Sequence, residues 1–184
     1  MSLKHAEPRP LTPDDMSVWT AATPPETIVD DDFPHHGDND TPPEPSPQPL
    51  LVPWPDSTFI IRSITTGHVL TLLDGRVTLT APGGRGSIHW QCVETKGWLG
   101  FRNTVSGRFL GHDDKGRLKC SAGKQLGWEN FCVRVRPDGG CVLLMTHWER
   151  LWCVDVREDG GGTHLCKVGD GVEKGASWEF VKVE

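Results

Sequence analysis

The chain has 184 residues, a net charge of −6 and 36% hydrophobic residues. Its length allows one domain with an extension, and residues 51–184 carry 17 basic against 15 acidic residues, so no charge excess indicates a nucleic-acid partner. No apolar run approaches the roughly 18 residues of a membrane span or the core of a secretory signal, so we expect a cytoplasmic protein with no membrane partner.

Residues 1–50 differ in composition from the rest of the chain. They hold 11 of the 15 prolines and ten acidic residues against two basic ones. Such a segment buries too little apolar surface to offset the entropy lost on ordering, so we predict a disordered tail. The segment LLVPWPD that follows predicts an extended lead-in that packs Trp54 on the folded body, and we place the domain at residues 51–184.

The body repeats one pattern in three units, at about 57–96, 97–138 and 139–184. Each unit contains four short runs rich in Val, Ile, Leu and Trp, and the turns between them contain glycine, a pattern typical of β-hairpins. In this interpretation a tryptophan begins the last run of each unit: Trp90, Trp128 and Trp178. Twelve strands in three equivalent units predict an all-β fold, the β-trefoil, in which six strands close a barrel and six form hairpins at one end.

Several segments of the body carry a family resemblance. The stretch SGRFLGHDDKGRLKC at residues 106–120 resembles the strand-turn-strand signature of the fascin-like β-trefoil family. The segments STFIIRS, ETKGWLGFRN, GWENFCVR and LLMTHWERLW are similar to trefoil domains of small fungal proteins of unknown function. The resemblance implies the trefoil fold and, as an alternative function, actin binding, because fascins bundle actin through several trefoils set side by side. A single trefoil without a concentrated basic patch does not favour that function.

A glycan partner is a second alternative. Lectin trefoils of the ricin type carry a Gln-x-Trp step near the end of each repeat. The corresponding places read HWQC, WENF and WEFV, and the chain contains no tyrosine, a common sugar-facing ring. The motifs therefore do not favour a lectin.

The third unit departs from the other two at the turn between its first and second strands. The first two units have glycine in this turn, in TTGH and VSGR, because a tight turn needs a positive φ angle. The third unit reads THWERLW at residues 146–152. We interpret this segment as a recognition surface in which Trp148, Arg150 and Trp152 bind the ligand. The structural alternative places Trp152 in the barrel core and leaves Glu149 and Arg150 as a solvent-exposed pair.

His147 and Glu149 are the first candidates for catalysis. The sequence contains no Gly-x-Ser-x-Gly elbow, phosphate loop or dinucleotide fingerprint, and its six cysteines have no metal-ligand spacing and are expected to be reduced thiols. It therefore predicts no metal and no cofactor, and an enzyme would be a cofactor-free cyclase or isomerase acting on a small molecule. The sequence favours a non-catalytic intracellular binding module whose small-molecule or protein partner contacts the irregular third unit.

Overall fold

The computed structural model describes residues 52–159, 162–170 and 175–184, and the predicted disordered tail at residues 1–50 lies outside them. Within these ranges, no helix has the length and apolar character needed to cross a membrane. The described residues form twelve strands: β1 (Thr58–Ser63), β2 (Val69–Leu73), β3 (Arg76–Thr80), β4 (His89–Thr95), β5 (Trp98–Asn103), β6 (Phe109–His112), β7 (Leu118–Ala122), β8 (Phe131–Val135), β9 (Cys141–His147), β10 (Arg150–Asp159), β11 (Gly162–Asp170) and β12 (Ser177–Lys182).

Six of these strands close a barrel in which every pair is antiparallel. β1 pairs with β4, β4 with β5, β5 with β8, β8 with β9, and β9 with β12, which returns to β1. The other six strands form three hairpins, β2–β3, β6–β7 and β10–β11. This arrangement is the β-trefoil, and the predicted fold class is confirmed. Because the barrel closes on itself, its strands have no free edge for pairing with another chain.

The register of the barrel identifies equivalent positions in the three units. Three aromatic residues each pair with the first strand of their own unit and of the next unit: Trp90 with Phe59 and Asn103, Phe131 with Leu99 and Met145, and Trp178 with Cys141 and Ser63. All three side chains are at most 1% exposed. Phe131 therefore occupies the position predicted for Trp128. That prediction was wrong, because Trp128 lies before β8 in the 3₁₀ turn Gly127–Glu129 and is 50% exposed.

Aromatic rings from all three units fill the barrel. The ring centres of Phe101 and Phe131 lie 5.3 Å apart, and those of Phe101 and Phe180 lie 5.7 Å apart. Burying each large apolar side chain contributes about 1.5–3 kcal/mol to stability. The indole N–H of Trp90 also donates a hydrogen bond to the carbonyl of Leu70 at 2.9 Å. The barrel core therefore also anchors the first hairpin.

The lead-in to β1 differs from the prediction. Trp54 is 75% exposed, whereas the neighbouring Pro53 is buried. The backbone N–H of Asp56 donates to the carbonyl of Cys92 at 2.9 Å. A proline and a backbone hydrogen bond, and not the tryptophan, therefore attach this segment to the barrel.

The six cysteines are free thiols, and all except the half-buried Cys132 are buried. Burial raises the pKa of Cys92 to about 12 and raises the pKa of Cys141 above its ordinary value. Because the thiolate is the reactive form, we expect an alkylating reagent at neutral pH to modify Cys132 rapidly and the other five only after unfolding. Intact-mass measurements over time test this. Cys132→Ser is the control, and rapid modification of two or more native thiols would contradict the described burial.

Candidate functional site

The third unit has a longer connection between its first two strands than the other units. In those units the N–H groups of Ser63 and Asn103 donate to the carbonyls of His68 and Arg108, both at 2.8 Å. The residue equivalent to Ser63 and Asn103 is Met145, which pairs with Trp152. Six residues separate that pair, whereas four separate each of the other two pairs, so the connection between β9 and β10 is two residues longer than its equivalents. We call residues 146–152 the arm.

Trp148 lies at the tip of the arm. It is the first of the two residues between His147 and Arg150, which pair with each other. Its φ angle is 54°, in the left-handed region that favours glycine, and its side chain is 92% exposed. A bulky residue in this conformation costs on the order of 1–3 kcal/mol, and residues strained in this way cluster at binding sites. The exposed ring recovers none of this cost by burial.

The arm forms an open depression beside this tryptophan. The rings of His147 and Trp152 stack with centres 3.6 Å apart and an angle of 21° between their planes. All five residues singled out from the sequence line a depression of about 530 Å³: His147, Trp148, Glu149, Arg150 and Trp152. Because all five belong to one hairpin, the depression has no opposing wall.

Trp152 is not a core residue, so the structural alternative for this ring is wrong. Val154 occupies the position of Leu70 and Leu110, and all three are at most 1% exposed. Trp152 is half-buried and lies outside the main core cluster. Its indole nitrogen is buried and has no hydrogen-bond partner among the described residues. The ring belongs to the arm.

Two polar residues that the sequence analysis missed lie at the base of the arm. The ammonium of Lys167 donates to the carbonyl of Thr146 at 3.3 Å and lies 2.9 Å from Nε2 of the buried His112. Nδ1 of His112 lies 2.7 Å from the carbonyl oxygen of Asp113. Because a carbonyl oxygen only accepts, Nδ1 carries the hydrogen and Nε2 accepts from Lys167. Burial lowers the pKa of His112 below its usual value, and the nearby ammonium lowers this pKa further, so the imidazole is neutral at neutral pH.

Trp128 extends this group into the second unit. Its ring stacks on His112 with centres 5.1 Å apart. Nζ of Lys167, which contacts Nε2 of His112, also lies 5.9 Å from the centre of the Trp152 ring. The contacts therefore form a continuous row, which we call the aromatic row: Trp128, His112, Lys167, Trp152 and His147. Only a residue-by-residue alignment of the three units would have singled out His112 and Lys167 in the sequence.

A larger cavity of about 920 Å³ lies between the three hairpins. Three of its charged residues pair with one another: Arg117 lies 2.7 Å from a carboxylate oxygen of Asp159, and Nδ1 of His164 lies 3.5 Å from the same oxygen. The carboxylate of Asp113 accepts from two backbone N–H groups of its own turn, both at 2.9 Å. Among the described residues, no cluster of three His, Cys, Asp or Glu side chains could hold a metal ion. Because the four charged residues Arg117, Asp159, His164 and Asp113 have partners within the protein, we assign no ligand to this cavity.

Replacing Trp148 with glycine should stabilise the protein. Glycine adopts a φ of 54° without strain, and the exposed ring contributes little buried surface. After allowing for the greater flexibility of unfolded glycine, we expect the free energy of unfolding to rise by about 1 kcal/mol in chemical denaturation.

Lys96→Gly is the matched control for this substitution. Lys96 is an exposed turn residue between β4 and β5 whose φ angle is also 54°, so the same relief of strain is expected. If Trp148→Gly destabilised the protein while Lys96→Gly stabilised it, the indole ring would have to make stabilising contacts within the fold.

The neutral His112 should make stability depend on pH. Its pKa is lower in the folded protein than the value of about 6.5 expected after unfolding, so the unfolded state binds more protons between these two values. The contribution of the neutral His112 to the free energy of unfolding is fully present above the unfolded pKa and is lost as the pH falls towards the folded pKa.

Denaturation of the parent and of the double variant His112→Leu/Lys167→Leu, from about pH 7 to about pH 5, tests this expectation. The variant removes the titrating ring and its facing ammonium together, and leaves Asp113 and His147 in place. We expect the parent to lose more stability than the variant over this interval. Parallel curves would show that His112 is not responsible.

Comparison with known proteins agrees with the trefoil fold. No protein-family model matches the chain, and no curated protein matches its sequence. The solved structures similar to it include a ricin B-like lectin of Macrolepiota procera in complex with lactose, with a TM-score of 0.54 and 15% identity over 72% of this chain and 100% of the lectin. The designed threefold symmetric protein ThreeFoil has a TM-score of 0.56 and 14% identity over 68% of this chain and 99% of that protein.

A third similar structure belongs to a larger enzyme. The GlcNAcα1-4Gal-releasing endo-β-galactosidase of Clostridium perfringens has a TM-score of 0.56 and 16% identity over 70% of this chain, which spans 33% of the enzyme. Identities this low show a shared fold alone. The resemblance to the fascin-like family therefore stays a prediction.

Proposed function

We propose that this trefoil is a non-catalytic binding module whose ligand is a saccharide bound on the arm. The observation that carries the proposal is Trp148, an exposed tryptophan held in a glycine-type conformation at the turn where the threefold pattern is broken. An exposed indole presents a rigid, flat, apolar face. The C–H groups on one side of a sugar ring fit such a face, while the hydroxyl groups remain at the edge for hydrogen bonds.

The residues beside Trp148 suit those hydroxyl groups. Glu149 offers carboxylate oxygens that accept hydrogen bonds, and Arg150 offers guanidinium N–H groups that donate them. The stack of His147 on Trp152 adds a second flat surface. The depression of about 530 Å³ is also within the size range of small-ligand sites.

The shape of the site supports binding over catalysis. Closing an active site around its substrate expels water and strengthens the electrostatic interactions within it. The depression is lined by one hairpin, so a bound molecule would remain open to solvent on its other side. His147 and Glu149 are therefore better suited to contacting a ligand than to acting on an enclosed one.

The trefoil of the Macrolepiota procera lectin in complex with lactose supports a sugar ligand for this fold. This chain lacks the Gln-x-Trp step in all three units, so we place its site at the arm and not at three repeated positions.

A glycan array probed with the full chain, followed by calorimetry on the best ligand, tests the proposal. We expect Trp148→Ala to weaken binding at least about tenfold, equivalent to about 1.4 kcal/mol, without lowering the melting temperature. Val105→Ala is the matched control, because Val105 is an exposed apolar residue in the equivalent turn of the second unit. That variant should bind like the parent.

Two outcomes would contradict the proposal. The first is the absence of any bound glycan, in which case capture of actin filaments or turnover of a small molecule would identify the alternative function. The second is a Trp148→Ala variant that binds as tightly as the parent, which would place the site elsewhere on the trefoil.

A further inference from the structure

His112 and Lys167 occupy positions that are apolar in the other two units. The hairpin registers give their equivalents: Leu72 and Val156 for His112, and Leu79 and Cys120 for Lys167. A polar pair at such positions forgoes the stabilisation that two aliphatic side chains would provide. Because a chain commonly departs from its own pattern where it functions, this pair is a candidate site of its own.

The hydrogen bonds of Lys167 leave one donor for another molecule. An ammonium group has three hydrogens. One is donated to Nε2 of His112 at 2.9 Å and one to the carbonyl of Thr146 at 3.3 Å. The ring N–H of His112 is itself directed to the carbonyl of Asp113, so the imidazole offers no second donor.

Lys167 also lacks a negative partner in the part of the chain that the structure describes. None of the ion pairs among those residues includes it, and burial lowers its pKa. The carboxylate of Asp113 adjoins His112 in sequence, but it accepts hydrogen bonds from two backbone N–H groups of its own turn and forms no ion pair with Lys167. A partly buried cation without an anion is costly, because it has lost solvation without gaining an opposite charge.

The position of Lys167 connects it to the arm. Its ammonium lies 5.9 Å from the centre of the Trp152 ring, which also lines the depression. Thr146, whose carbonyl it contacts, directly precedes His147 in the arm. A ligand in the depression that extends past the Trp152 ring would therefore meet this cation.

We propose that the saccharide bound by the arm carries a carboxylate group, and that this group pairs with the ammonium of Lys167. The inference rests on the proposed function and narrows its ligand to acidic sugars such as uronic acids. A single remaining N–H donor suits the two oxygens of a carboxylate better than the three oxygens of a sulfate or phosphate, which bind where several donors converge.

Matched pairs of ligands test this inference directly. A trimer of galacturonic acid, a hyaluronan tetrasaccharide and a sialylated lactose are each compared with their methyl esters, which keep the rings and remove the charge. With the full chain, we expect at least one acid to bind about tenfold more tightly than its ester, equivalent to about 1.4 kcal/mol. This preference should weaken as the salt concentration rises.

Variants then assign the preference to one residue. Lys167→Met should bind acid and ester equally, whereas Lys167→Arg, which keeps the charge, should retain a preference for the acid. Lys119→Met is the matched control, because Lys119 is an exposed cation 6.0 Å from the centre of the Trp128 ring, at the far end of the aromatic row. It should behave like the parent.

The outcomes separate the two proposals. If acid and ester bind equally and Trp148→Ala weakens both, the inference about Lys167 is overturned and the saccharide site stands. If the acid preference persists in Lys167→Met, another cation carries it and the inference is again overturned. If neither these sugars nor those of the array bind, the proposed function fails, and the inference that rests on it fails with it. If Lys167→Met does not fold, the double variant His112→Leu/Lys167→Leu removes the same charge and restores the apolar pattern of the other units. Equal binding of acid and ester by that variant supports the inference, and a retained acid preference overturns it.

Discussion

The closure of the barrel around Trp90, Phe131 and Trp178 constrains every other part of this trefoil. Each of these rings lies opposite one residue of the strand before it and one of the strand after it, so the register of all six barrel strands is set at one level. A strand cannot slip by one residue, because its buried side chains would then face solvent. The two extra residues of the third unit cannot be absorbed within the barrel. They lengthen the connection between β9 and β10, which extends outwards from the barrel as the arm.

The second unit supports the arm from the neighbouring side. Its 3₁₀ turn is held by the buried Glu129, whose carboxylate accepts a hydrogen bond from the backbone N–H of Leu126 at 3.1 Å. Gly111 makes room for this carboxylate, since a Cβ atom there would lie 2.7 Å from one of its oxygens. The turn in consequence displaces Trp128 from the barrel and stacks it on His112. The 3₁₀ turn of the second unit and the lengthened connection of the third unit, each of which departs from the threefold pattern, therefore lie at the same face of the trefoil.

The sequence predicts the trefoil because its turns and its alternation are local properties. Gly67 and Gly107 have φ angles of 68° and 66°, as the turns that contain them require. The exact core members are less predictable. In GWENF either Trp128 or Phe131 could fill the barrel, and only pairing with β5 and β9 selects the phenylalanine.

The same limit applies to the arm and the aromatic row. An insertion of two residues preserves the period of a strand, so Trp152 and Val154 face the same side and alternation cannot show which one is in the core. His112 and Lys167 lie 55 residues apart in sequence, so their contact depends on how two hairpins from different units meet. The candidate residues of the arm could be identified as a break in the threefold pattern. The contact between His112 and Lys167 could not, because it joins two hairpins that are distant in sequence.

Two unfavourable features of different physical origin lie on this face. One is torsional: the other residues apart from glycine with positive φ angles in the described chain are Asp56, Asp74 and Lys96, all short or flexible polar side chains at turns, whereas Trp148 is a bulky ring. The other is electrostatic, a partly buried ammonium with no carboxylate partner among the described residues. Neither feature is needed to close the barrel, because the first two units close their parts of it without them. An acidic sugar would use both, since its ring can pack on the indole that the strained turn exposes while its carboxylate neutralises the ammonium.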